Sequence, residues 1–92
     1  MRVKVGHRAY RVVREKRDGL DGECDHGLGV VAIDPELIGE MYQEILLHEL
    51  MHCIWHMWGL GKTVSEERAA TVFSHALLTL FKDNPNLLDE LK

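Results

Sequence analysis

Between Ile45 and Trp58 the chain reads ILLHELMHCIWHMW, a run that is apolar nearly all round a helix. A helix without a polar face belongs at the centre of a fold, covered on several sides. The exceptions in the run are His48, Glu49, His52 and His56. The helical pattern opens earlier, at Asp34-Pro35, where aspartate can cap and proline suits the first helical position. Gly39 is placed to break or bend the first turn, and Gly59 and Gly61 end the helix near Trp58.

What surrounds this helix follows from shorter signals. Val3 and Val5 alternate with polar neighbours, and Ala9 to Val13 is a second β-prone run. Gly6-His7 between them predicts a hairpin. Lys16 to Gly22 reads as a polar turn carrying Asp18-Gly19 and Asp21-Gly22. Gly29 to Ile33 reads as a short strand, apolar on both faces. A second helix is expected from Thr63 or Ser65 to about Lys82, with Ala69, Ala70, Val72, Phe73, Ala76, Leu77 and Leu80 on its buried stripe. Asn84-Pro85 stops it, and Asn86 to Lys92 adds a last helical turn. The expected fold is α+β: a small, mostly antiparallel sheet from residues 2 to 33 packed on two core helices, in one domain spanning residues 1–92. The Gly29 to Ile33 strand is expected to form the edge of a cleft.

A core drawn from 92 residues is thin and gains from a metal, a disulfide or a partner. With 15 acidic and 11 basic residues the net charge is -4, which gives no general pull toward nucleic acid or anionic membrane. Arg8, Arg11, Arg14, Lys16 and Arg17 cluster locally and read as a solvated strand face and turn, with a phosphate-binding patch as the alternative. Met1 is followed at once by Arg-Val-Lys-Val rather than an apolar leader, so the expected location is cytoplasmic. In a reducing compartment Cys24 and Cys53 are expected as free thiols or metal ligands.

His48-Glu49-Leu50-Met51-His52 has the form H-E-x-x-H. Residues four apart on a helix lie about 40° apart around the axis and roughly 6 Å along it, so both imidazoles reach one metal ion. Glu49 stands about 100° from His48, beside that ion rather than on it. A general base that takes a proton from attacking water belongs there. Zinc is the expected metal.

Two protein ligands are one fewer than a zinc enzyme ordinarily uses. His56, Glu66, Glu67, Cys24 and His26 are the candidates for the third. His56 is roughly 12 Å from His48 by helical rise and is expected at the surface or behind the ligands. Cys24 and His26, spaced C-x-H, could close a four-ligand structural site with His48 and His52. Cys53 faces away from the ligands and reads as core. Trp55, Met57 and Trp58 read as core or as a lip over the second helix. His7, His26 and His75 are candidates to stabilise an oxyanion, and no spacing selects among them. Periodicity does not separate Glu66 from Glu67. Thr63-Val64-Ser65-Glu66 matches a capping box, which would engage Glu66 with backbone and leave Glu67 free.

These features together resemble a compact gluzincin, a zinc metallopeptidase in which H-E-x-x-H is followed by a glutamate ligand on the next helix. Glu67 to Ser74, with Leu77-Leu78, is similar to the E-x-x-A-N-x-F-A-x-x-L-L helix of the ImmA/IrrE peptidases. Thr71 stands where that family often has Asn, and Ser74 where it has Ala. Gly22 to Asp25, Val30 to Asp34, Leu46 to Glu49 and Asp83-Asn84-Pro85 also resemble small phage-encoded H-E-x-x-H proteins. The resemblance implies a minimal zincin-like domain, with zinc on His48, His52 and Glu67, Glu49 as catalytic base, and a peptide or protein substrate. The competing expectation is a zinc-binding protein-interaction module without catalysis.

Overall fold

The computed structural model describes all 92 residues. Four strands, β1 (Arg2–Val5), β2 (Arg8–Arg14), β3 (Gly22–Asp25) and β4 (Val30–Ile33), precede two long helices, α1 (Gly39–Met57) and α2 (Glu66–Asp83), and a single turn, α3 (Leu87–Glu90). The sheet runs β1-β2-β4-β3, with β1–β2 and β3–β4 antiparallel and β2–β4 parallel. The fold is therefore α+β, as the pattern predicts, with a sheet that is antiparallel at both outer pairs.

Two details of the sheet differ from expectation. Gly22–Asp25, read partly as turn, is a strand. Its pairing partner supplies the reason: β4 is buried at every residue, and a strand so enclosed needs neighbours on both sides. The second difference follows from the first. β4 lies inside the sheet between β2 and β3, so it cannot form the cleft edge, and β3 is the edge strand on that side.

Helix α1 lies across β3, β4 and β1. Leu46, Leu50, Cys53 and Ile54 point into a core shared with Val3, Val5, Tyr10, Val31 and Ile33. The helix is not covered all round: Leu47, His48, His52 and His56 are exposed, so only one face is core. It also starts later than Asp34-Pro35 predicts. The Asp34 carboxylate accepts from the Glu36 N–H at 2.9 Å, and Leu37 N–H bonds the Asp34 carbonyl. The result is an isolated turn, and Gly39 at φ +59° separates it from the helix. Arg14 fixes this junction by donating to the carbonyls of Pro35 and Leu37, with its guanidinium 4.3 Å above the Tyr42 ring. At the other end Gly59 (φ +64°) and Leu60 donate to His56 and Trp55 carbonyls, a Schellman ending at the expected glycine.

Helix α2 is capped by Ser65, whose Oγ accepts from Arg68 N–H at 3.1 Å. The capping box beginning at Thr63 is not formed, because the cap lies two residues later and its third position is Arg68 rather than a glutamate. At the far end Asn84 donates to the carbonyls of Lys4 and Leu80 and accepts from the Lys4 N–H, each at 2.8 Å. One side chain thereby closes α2 and pairs the open edge of β1. Leu87 on α3 buries itself beneath, at 2% exposure, where the expected last turn falls. No helix is long and apolar enough to cross a membrane.

Candidate metal centre

His48 and His52 project from the exposed face of α1, one turn apart. Their Nε2 atoms lie 3.2 Å apart, with the rings nearly perpendicular. Two nitrogens bound at about 2.0–2.1 Å to one tetrahedral zinc stand roughly 3.3 Å apart. The pair is therefore spaced for a shared ion. Potential ligand atoms of His48, Glu49 and His52 all fall within 4.8 Å of one another.

Glu49 is the buried member, at 7% exposure. Of the three motif side chains only this carboxylate bears a burial cost, since both imidazoles are exposed. Glu49 turns toward the sheet while the histidines turn outward. None of the chain's four ion pairs reaches it. A carboxylate enclosed without a cation is unfavourable, and a divalent ion beside it would offset that cost. Gly22 of β3 makes the enclosure possible. A Cβ there would come within 2.8 Å of Ile45 and 3.1 Å of Glu49 Cγ, so only glycine lets the strand lie this close.

In front of the histidines, Met51, Trp55 and Phe73 complete a cavity of about 270 Å³. Trp55 meets Phe73 across the two helices at 6.1 Å between ring centroids, and Trp58 meets His75 at 6.2 Å. Of the three residues expected as core or lip, Trp55 and Trp58 meet α2, while Met57 and Trp58 also pack against the core.

The remaining candidates lie elsewhere. Glu66 and Glu67 are exposed in the first turn of α2 and outside the His48–Glu49–His52 group. Phe73, which does line the cavity, follows Glu67 by about 9 Å of helical rise. Cys24 and His26 are outside the group as well. Cys24 Sγ lies 2.8 Å from Cys53 Sγ and 3.5 Å from His26 Nδ1, and His26 Nδ1 also meets the Tyr10 hydroxyl at 3.1 Å. The His26 ring stacks on His56 at 3.9 Å. Burial and the neighbouring His56 hold the His26 imidazole below its ordinary pKa. Burial and the two cysteines push the Tyr10 hydroxyl up to about 12. His7 occupies the β1–β2 turn and His75 sits against Trp58, so neither faces the histidine pair.

No protein-family model, no curated protein and no solved structure matches the chain.

Proposed function

We propose that this chain is a zinc-dependent hydrolase of peptide bonds, with His48 and His52 as metal ligands and Glu49 as general base. The observation that carries the reading is the 3.2 Å approach of the two Nε2 atoms next to an enclosed carboxylate. Zinc bound there would supply Lewis acidity, polarising the scissile carbonyl and lowering the pKa of water. The chain's own residues would do the rest. Glu49 takes a proton from the attacking water and passes it to the departing amine nitrogen. Its burial holds the carboxylate in one place, and Met51, Trp55 and Phe73 keep one side of the cavity apolar. The third ligand is proposed to be Glu67, on its similarity to the ImmA/IrrE helix. Glu67 lies outside the His48–Glu49–His52 group, so this part of the proposal includes movement of the first turn of α2 toward the histidines.

The test pairs zinc content with cleavage of a broad peptide library for the native chain and Glu49→Gln. Glutamine preserves size and helix propensity but not basicity. The variant should retain zinc and fold while cleavage falls by about 10²–10⁴-fold. Equal cleavage by both proteins would remove Glu49 from the mechanism. Zinc without any cleavage by the native chain would favour the protein-interaction module. Exposure of both imidazoles beside Leu47, itself exposed, supports that second reading.

A further inference from the structure

The second side-chain cluster does not belong to the histidine site. Cys24 on edge strand β3 and Cys53 on the inner face of α1 are 29 residues apart in sequence, yet their sulfurs lie 2.8 Å from each other. Both are free thiols. Two thiolates on one tetrahedral zinc, each at about 2.3 Å, would stand roughly 3.8 Å apart, which is wider than this pair. The neighbouring imidazoles do not complete a metal shell either. His26 Nδ1 is shared with the Tyr10 hydroxyl, its ring is stacked on His56, and neither imidazole joins the two sulfurs in a group of converging ligand atoms. A disulfide bond measures about 2.05 Å, so a small side-chain rotation closes the remaining distance.

We propose that Cys24 and Cys53 form a reversible disulfide that clamps β3 onto α1 behind the metal centre. Cys24 is half-buried, whereas Cys53 is 0% exposed, so Cys24 is the one a small reagent meets first. The two therefore divide the work. With a low-molecular-weight disulfide RSSR as oxidant, the Cys24 sulfur attacks one sulfur of RSSR. The S–S bond of RSSR breaks, a mixed disulfide forms on Cys24, and one RSH leaves. The Cys53 sulfur then attacks the Cys24 sulfur, breaking the mixed disulfide and releasing the second RSH. Both cysteines are oxidised, RSSR is reduced by two electrons, and the two thiol protons leave on the RSH molecules. The bond joins the strand carrying Gly22 to the helix carrying Glu49, two segments already in contact.

Oxidised glutathione is the probe. After incubation and alkylation, peptide mapping without reductant should show one link between the Cys24 and Cys53 peptides and a protein mass lower by two hydrogens. The melting temperature should rise on the order of 10 °C and fall back with dithiothreitol. Cys53→Ala should stall at a stable glutathione adduct on Cys24. Cys24→Ser should take up far less glutathione and show no rise in melting temperature. A persistent adduct on the native chain, or dimers linked between chains, would overturn the proposal. So would loss of one zinc equivalent in Cys24→Ser, which would make the thiols metal ligands. None of the cross-link readouts requires a metal at His48 and His52, so failure of the hydrolase reading would leave them unchanged.

Discussion

His52 and Cys53 are consecutive residues on one helix, yet they belong to opposite kinds of chemistry. His52 stands on the outer face with His48, two nitrogens 3.2 Å apart and open to solvent. Cys53 stands on the inner face, fully buried, with its sulfur against Cys24. A step of about 100° around α1 moves a side chain from water into the core. The outer pair has the spacing of ligands on one ion, and the inner pair is too close for that. A helix over a sheet thus carries a candidate metal centre on one side and a packing seam on the other, with Glu49 at the boundary between them.

The sharpest way to break this contrast is to truncate one residue on each face. Leu50→Ala empties a fully buried site and should cost about 2–5 kcal/mol, enough to lower the melting temperature by 10 °C or more in a chain of this size. Leu47→Ala, three residues away and 38% exposed, should change stability by no more than about 0.5 kcal/mol. Paired thermal melts of the two variants measure the difference. Similar losses would mean that α1 is covered on both sides, as the sequence pattern alone suggests.

A smaller effect tests the junction that aims the helix. Lys16 Nζ lies 2.6 Å from Asp34 Oδ2, and this contact holds the Asp34 carboxyl below its ordinary pKa and raises that of Lys16. The depressed carboxyl contributes stability at pH above the ordinary carboxylate range, and that contribution is lost as pH falls through the folded value. The raised ammonium contributes below the ordinary lysine range and loses its effect as pH rises beyond it. Asp34→Asn retains an oxygen for the Glu36 N–H but removes the charge. Its stability should therefore vary less with pH than the native chain's at the acid limb, and denaturant titrations from neutral pH downward would show it. Parallel curves would assign the acid limb to other carboxylates.

The sequence makes some of these features legible and hides others for physical reasons. H-E-x-x-H can be read because ligand spacing on a helix is a local property, fixed within one turn. The hairpin at Gly6-His7 and the stop at Gly59 are equally local. The β3 strand escaped because Glu23 and Asp25 are polar and no β-branched residue marks it; its stability comes from pairing with β4. The approach of Cys24 to Cys53 is a tertiary fact with no local signal. The start of α1 shifted because the Asp34 side chain bonded Glu36 N–H and formed a separate turn. The third ligand could not be chosen from capping, since Ser65 rather than Thr63 caps α2; the preference for Glu67 rests on the resemblance of its helix alone.

The central claim, that the outer histidine pair is a metal site, is tested most directly by zinc stoichiometry on purified protein. The native chain should carry about one zinc, His48→Ala and His52→Ala should each abolish it, and Glu67→Gln should weaken it while Glu66→Gln leaves it unchanged. Retention of tightly bound zinc by the His48→Ala/His52→Ala double variant would contradict the account.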